Sequence, residues 1–131
     1  MIEILIILFC FVSGLLNSTE DLLKDKYYQS VFKDFNHIWF SEDSWKNKYI
    51  SRDPKFGRVK INLFGLSFNK PVQLTDWWHF SKMLSLSLLF LSMTFAIFLE
   101  WSLNSFLVVF LAGCLRNVGF SLGYYKLFFR N

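Results

Sequence analysis

Residues 79–99, "HFSKMLSLSLLFLSMTFAIFL", decide the fold of this chain. At a rise of 1.5 Å per residue, this apolar run makes a helix of about 30 Å, which is the thickness of the hydrocarbon core of a bilayer. Tryptophans, which prefer the membrane interface, flank the run, with Trp77 and Trp78 at one end and Trp101 at the other. We therefore predict a membrane-spanning helix here.

The composition of the whole chain also indicates a membrane protein. Of its 131 residues, 53% are hydrophobic and 21% are aromatic, and 17 of them are Phe. A soluble domain of this length has too small an interior to bury so many apolar side chains. The apolar residues are concentrated towards the two ends of the chain and the charged residues in its middle, which is typical of spans that flank a polar region.

A further apolar run covers residues 103–125 and follows the previous one after a very short link. The short link predicts a tight antiparallel hairpin of two helices. Arg116 lies within this run, where a charge at bilayer depth costs roughly 2.5–3.5 kcal/mol, so we expect it to reach the interface or to pair. Gly119 and Gly123 form a GxxxG motif, which lets a neighbouring backbone approach closely.

The first apolar run, residues 2–16, is short for a complete crossing, which takes roughly 20 residues. Leu16, Leu22 and Leu23 keep a helical spacing, so we predict that the helix continues beyond the run and becomes long enough. The alternative is a cleaved signal peptide, but Glu3 stands where a signal peptide needs positive charge. We therefore favour a retained anchor.

The charges fall on one side of these three predicted spans. Eleven Lys or Arg residues lie between the first two spans or at the start of the second, and the other three are Arg116, Lys126 and Arg130. Because basic residues stay cytoplasmic, we predict an outside N-terminus and an inside C-terminus. The predicted organisation is an anchor helix at 1–28, a cytoplasmic or juxtamembrane region at 29–75, a transmembrane hairpin at 76–126 and a basic tail at 127–131.

The densest basic segment is "SWKNKYISRDPKFGRVKI", residues 44–61. In this topology its cations face anionic headgroups and its aromatic rings lie at headgroup level. We predict lipid contacts for Trp45, Lys46, Lys48, Tyr49, Arg52, Lys55, Arg58 and Lys60. Residues 53–57 predict a turn, and residues 58–68 a short strand or extended segment. We expect no nucleic-acid binding, because the wider region of residues 20–82 holds eleven basic and eight acidic residues and so has a net charge of only +3.

Two histidines and a carboxylate are the candidates for a metal site, if the central region folds over the membrane surface: His37, Asp76 and His79. The simpler interpretation, which we favour, is that Asp76 caps the second span and His79 is an interfacial aromatic. Metalloprotease, nucleophile-elbow and phosphate-loop motifs are absent, and neither cysteine belongs to a CxxC pair. We therefore expect no catalytic residue and no cofactor.

Other polar and small residues predict how the helices pack. Arg116 is expected to form an ion pair with Asp21 near the inner face, and Asp76 is a second candidate partner. Two pairs of small residues predict helix-packing faces: Ser81 with Ser85, and Gly119 with Gly123.

Three motifs also carry a resemblance: Ser44 to Tyr49 (SWKNKY), Asp53–Pro54, and the TDxWH element of Thr75, Asp76, Trp78 and His79. The resemblance extends over about residues 28–83. In this pattern the chain resembles a group of small, uncharacterised membrane proteins of Bacteroidota and their phages. The resemblance implies a location in a bacterial inner membrane and singles out the inner-face segment, and it brings no assigned activity with it.

These features predict an all-α integral membrane protein, with three transmembrane helices and a small basic, turn-rich cytoplasmic region between the first two. The leading functional hypothesis is a non-enzymatic accessory or scaffold subunit of a membrane complex, in contact with lipids and with a protein partner or further copies of itself. One alternative is a membrane enzyme or metal-binding protein with an inner-leaflet pocket of His, Asp and Arg. The other is a phage-encoded membrane-permeabilising or exclusion protein.

Overall fold

The computed structural model describes residues 1–100 and 102–130. The helices and strands are α1 (Ile2–Asp25), α2 (His37–Phe40), β1 (Lys60–Leu63), β2 (Leu66–Asn69), α3 (Trp77–Ile97) and α4 (Leu103–Leu122). Short 3₁₀ turns fill much of the chain between α1 and α3, and a π-helical turn, Gly123–Leu127, extends α4. Trp101, the predicted interface residue, and Asn131 of the predicted tail lie outside the described residues.

Three helices are long and apolar enough to cross a membrane: Ile2–Asp25, Trp77–Ile97 and Leu103–Leu127. The chain is mostly helical, and these helices indicate a membrane-embedded protein, as the sequence predicts. The first helix continues well past Leu16, in agreement with its leucine spacing. The all-α description needs one correction, because β1 and β2 form an antiparallel hairpin within the turn-rich region.

Helix α1 is the common partner of the other two spans. It packs along both α3 and α4, whereas α3 and α4 make few contacts with each other. The short link between α3 and α4 therefore does not give the directly packed hairpin that the sequence predicts. The physical reason is that both helices turn their small residues towards α1 and leave bulky side chains on their other faces.

Small polar residues form the contact between α1 and α3. The Ser13 hydroxyl donates to the Ser85 carbonyl oxygen, and the Ser85 hydroxyl donates to the Ser13 carbonyl oxygen, both at 2.9 Å. Further along the seam, the Ser92 hydroxyl donates to the Ile6 carbonyl oxygen at 3.2 Å and lies 3.1 Å from Cys10 Sγ. These bonds satisfy hydroxyl groups that lipid could not hydrogen-bond.

Glycines bring α1 and α4 into backbone contact. A Cβ at Gly119 would overlap the Phe11 carbonyl oxygen, and one at Gly123 would overlap the Ser18 hydroxyl. On the other side of the contact, a Cβ at Gly14 would overlap the α4 backbone. The GxxxG motif of α4 is therefore used within this chain, against α1.

The surface of the helix bundle is more apolar than its interior. The buried residues of α3 are all serines: Ser81, Ser85 and Ser92. Large apolar side chains stand on the outside of α3 and α4, among them Leu86, Phe90, Leu91, Phe106, Leu107 and Phe110. A soluble protein shows the opposite pattern, so this arrangement indicates that lipid surrounds the helices.

An aromatic cap closes one end of the bundle. The buried Leu22, Leu23, Tyr27 and Phe32 form its centre, and the side chains packed around them are Val31, Phe40, Trp77, Trp78, Tyr124, Phe128 and Phe129. A β-bridge between Ser30 and Phe129 joins the C-terminal segment to the central region. Residues 26–76 and 123–130 thus lie together, at what we term the basic end. The Asn104 amide, which donates to Glu3, marks the opposite end.

Replacing Gly119 with Ala should destabilise the bundle, because the added methyl group would force α1 and α4 apart. We expect a loss of about 1–3 kcal/mol in the free energy of unfolding, measured by circular dichroism in detergent micelles with added denaturant. Gly113→Ala is the matched control on the same helix, since no atom lies within 4 Å of a Cβ built there. Equal losses from the two substitutions would contradict the close contact.

Candidate functional site at the basic end of the bundle

A charged layer crosses the bundle near its basic end and consists of a buried acid, a half-buried arginine and an exposed lysine. Glu20 of α1 is only 7% exposed, and its Oε1 atom has no hydrogen-bond partner among the described residues. Lys82 of α3 and Arg116 of α4 are the cations that act on this carboxylate. Each of the three residues lies between one and two turns from the end of its helix. The three spans thus contribute one ionisable group each at a similar depth, and the acid belongs to the shared helix.

Arg116 is half-buried in this layer. Its Nε atom is buried and has no hydrogen-bond partner among the residues that the structure describes. Ionised side chains inside a membrane are costly unless charges of opposite sign lie near them. Glu20 lies near enough to Arg116 and to the exposed Lys82 for their charges to act on it, but it forms an ion pair with neither among the described residues.

The predicted ion pair between Arg116 and Asp21 does not form. Within residues 1–100 and 102–130, ion pairs join Lys46 to Asp43, His79 to Asp76, and Arg130 to Asp34. Asp21 is rotated by about 100° around α1 from Glu20 and is only half-buried. Glu20, in contrast, follows the buried Ile6 and Ser13 at a spacing of seven residues. Once Ile6 and Ser13 are known to be buried, that spacing identifies Glu20 as the inward-facing acid.

Asp76 and His79 form a tight pair at the start of α3. Asp76 is fully buried. Its carboxylate accepts hydrogen bonds from the His79 backbone N–H at 2.9 Å and from the Thr75 hydroxyl at 2.8 Å, and it lies 2.7 Å from His79 Nδ1. Asp76 is therefore the N-cap of α3, as the simpler interpretation has it.

The third candidate metal ligand, His37, belongs to a different part of the basic end. Its side chain is exposed, and its Nδ1 lies 3.5 Å from the Tyr27 hydroxyl. Burial raises the pKa of the Tyr27 phenol, and nearby carboxylates add to the effect. Among the described residues, no three His, Cys, Asp or Glu side chains are placed to hold a metal ion. The structure therefore does not assemble the predicted set of His37, Asp76 and His79.

The predicted lipid-contact residues lie on the outside of the basic end. The ammonium groups of Lys46 and Lys48 stand 5.8 and 5.5 Å from the centre of the Trp45 ring. Lys46 also pairs with Asp43 at 2.8 Å, and this hydrogen bond lowers the pKa of the carboxyl group. The remaining members are partly or fully exposed: Tyr49, Arg52, Lys55, Arg58 and Lys60. Their contact with headgroups stays a prediction.

A β-hairpin extends from the basic end. Strands β1 and β2 pair from Lys60–Asn69 at the base to Leu63–Leu66 at the turn. Every residue of both strands is exposed, and the strands pack chiefly against each other. The alternating pattern of residues 58–68 predicts an extended segment, but nothing in that pattern identifies the partner strand.

A second small and polar face lies on α4, on the side opposite to Gly119 and Gly123. Gly113, Asn117 and Ser121 follow one another at intervals of four residues and are all exposed. A shallow groove of about 440 Å³ runs beside Asn117 and Ser121. We call these three residues the outer face of α4. The outer face was not predicted from the sequence, because the GxxxG motif indicates packing on the opposite side of the same helix.

These features define a class: a membrane-embedded protein of three apolar helices, with a buried acid on the shared helix and an aromatic cap at the basic end. Comparisons with protein-family models, with curated proteins and with solved structures find no match. What the protein does is therefore inferred below from its own residues.

Replacing Glu20 with Gln should destabilise the bundle, because Lys82 and Arg116 would lose the carboxylate that opposes them. We expect a loss of about 1–3 kcal/mol in the free energy of unfolding in detergent micelles. Asp21→Asn removes the same charge from the neighbouring position of α1 and should leave stability within about 0.5 kcal/mol of the parent chain. A larger loss of unfolding free energy from Asp21→Asn than from Glu20→Gln would instead support the predicted ion pair between Arg116 and Asp21.

Proposed function

We propose that the protein is a non-enzymatic scaffold or accessory subunit of a membrane complex, and that it associates with a second copy of itself through the outer face of α4. The Asn117 side chain carries this proposal. It places an amide on the outside of a membrane-spanning helix. No residue in the described part of the chain hydrogen-bonds to that amide.

An amide that faces hydrocarbon without a partner is unfavourable, so a second helix that hydrogen-bonds to it is stabilised. Hydrogen bonds of this kind between membrane helices contribute about 0.6–2 kcal/mol each. Gly113 lies one turn from Asn117 and has open space around it, which allows the backbone of another helix to approach closely. Ser121 adds a small hydroxyl residue one turn further along.

A second copy of this chain suits the outer face of α4 because the asparagine amide both donates and accepts hydrogen bonds. In a dimer with two-fold symmetry, a central residue meets its own counterpart, so two Asn117 side chains would satisfy each other. The opposite side of α4, with Gly119 and Gly123, is already occupied by α1. The outer face is therefore the side of α4 that is left for association.

The orientation that we propose puts the basic end in the cytoplasm of a bacterium. The central region and the C-terminal segment lie at the same end of the bundle, so all the basic residues outside the spans gather there. Basic loops are retained on the cytoplasmic side of the inner membrane. The resemblance to small membrane proteins of Bacteroidota and their phages supports the same location, and it stays a prediction.

Labelling of intact cells tests this orientation. A single cysteine at Glu100, in the link between α3 and α4, should react with a membrane-impermeant maleimide, whereas one at Gln29, on the basic end, should react only after the cells are opened. Both positions are exposed. The exposed native Cys114 is replaced by Ser in both chains, and Cys10 is buried in the bundle. The reverse labelling pattern would show that the basic end lies outside the cell and would contradict the proposed orientation.

Oxidative crosslinking in native membranes tests the proposed dimer. Cys114 is exposed and adjoins the outer face of α4, so mild oxidation should produce a disulfide-linked species of twice the mass of the chain. Replacing Asn117 with Leu, which has a similar volume, should weaken association about fivefold, the equivalent of about 1 kcal/mol. The crosslinked fraction is measured at several ratios of protein to lipid.

Leu111→Ile is the control, because it changes an exposed residue of α4 outside the groove without altering its polarity, and it should leave the dimer unchanged. A cysteine at the exposed Leu91 of α3, in a Cys114→Ser chain, should give little dimer. A crosslinked product of another mass would indicate that the outer face of α4 contacts a different protein subunit and not a second copy of this chain. A chain that stays free monomer under all conditions would contradict the proposed function.

A further inference from the structure

The β-hairpin has one apolar and one polar face. Residues that pair across two antiparallel strands share a face, and successive residues alternate between faces. The pairs on one face are Ile61 with Phe68 and Leu63 with Leu66, and those on the other are Lys60 with Asn69 and Asn62 with Ser67. All four apolar side chains are exposed. The chain therefore builds an amphipathic element and leaves its apolar face uncovered.

The turn of the hairpin carries an exposed aromatic side chain in an unfavourable backbone conformation. Phe64 and Gly65 link the strands with φ angles of 50° and 79°. A two-residue turn with two positive φ angles favours Asn, Asp or Gly at both positions, because a bulky side chain is strained there. Phe64 is nevertheless present and 96% exposed, so it contributes nothing to the core. A strained residue of this kind indicates a role in contact with something outside the chain.

Charge identifies what covers the apolar face. Residues 54–75 contain Lys55, Arg58, Lys60 and Lys70 and no acidic residue. This composition complements a surface of anionic lipid headgroups, to which each nearby cation adds attraction. An acidic protein surface would match the cations but not the row of apolar side chains between them.

Position along the chain leads to the same partner. Only six residues separate Lys70, after the second strand, from Trp77, the first residue of the α3 span. Six residues reach at most about 20 Å, so the base of the hairpin lies within that distance of the level at which α3 enters the bilayer. A four-residue strand spans about 13 Å, which is enough to bring the turn to the boundary between headgroups and acyl chains.

We propose that the hairpin inserts its turn into the leaflet at the basic end of the bundle. Leu63, Phe64 and Leu66 lie at the boundary with the acyl chains, and the cations at the base contact anionic headgroups. An isolated two-stranded hairpin is marginally stable in water, so lipid over its apolar face also stabilises the hairpin itself. This contact does not involve the outer face of α4, and it holds for a monomer or a dimer.

A fluorescent label on the full chain tests the proposal. An environment-sensitive dye is attached to a cysteine at Leu66, with Cys10 and Cys114 replaced by Ala, and the protein is reconstituted in vesicles of phosphatidylcholine and phosphatidylglycerol. The dye emission should shift to shorter wavelength and be quenched by spin labels in the upper acyl chains. A dye at Gln29, which is exposed on the basic end, should show neither the emission shift nor the quenching. Equal emission from the two positions would overturn the proposal.

Two variants test which side chain and which lipid are responsible. Phe64→Asn suits the positive φ angle and so preserves the turn, but it should move the dye at Leu66 into water. Phe56→Asn alters another exposed phenylalanine outside the hairpin and should leave the dye in lipid. Equal effects of the two substitutions would exclude insertion of the turn, and equal insertion into pure phosphatidylcholine would exclude the role of the cations.

A protein partner gives a different result. In that case the dye at Leu66 would stay in water in the reconstituted vesicles and would be shielded from a water-soluble quencher only in native membranes, which would overturn insertion into lipid. Crosslinking at Cys114 is measured separately, so failure of the hairpin proposal and failure of the α4 dimer are distinguishable.

Discussion

The close contact of α1 with its two neighbours is the constraint on which the rest of the structure depends. Lipid provides little hydrophobic driving force between helices, so they associate through packing and hydrogen bonds at small residues. Here the contacts are the reciprocal bonds of Ser13 and Ser85 on one side of α1 and the backbone approach at Gly14 and Gly119 on the other. Once the small residues face α1, the bulky residues of α3 and α4 must face the lipid.

The charged layer follows from the same arrangement. Because α1 touches both other spans, a single inward-facing acid, Glu20, lies near the cations of both. The arrangement therefore places a cation of each outer helix near an acid that the shared helix carries, which lowers the cost of a charge at this depth.

Hydropathy and helix signals predict the spans well, because they depend on length, composition and local spacing. The three spans, the continuation of α1 past Leu16 and the cap at Asp76 all follow from these properties. Helix pairing is harder to predict from the sequence than the spans are, because a GxxxG motif identifies a packing face but not the helix that covers it. The choice between Glu20 and Asp21 needs the rotation of α1, which becomes clear only when Ser13 is known to be buried. The hairpin escaped prediction because its turn holds Phe-Gly in place of the usual Asn-Gly.

Most surfaces of this protein match the medium around them. Inside the bundle, small polar groups hydrogen-bond across helices, and outside it, large apolar side chains meet lipid. Two of the exposed residues that depart from this rule do so in opposite directions: Asn117 is an amide on a lipid-facing helix, and Phe64 is an aromatic ring at a hairpin turn. Neither residue gains anything from the fold, and each would be better placed in contact with something beyond the chain. A polar group in lipid is stabilised by another polar group, and an apolar group beside the membrane is stabilised by lipid. Asn117 therefore indicates contact with a second helix, and Phe64 indicates contact with the bilayer.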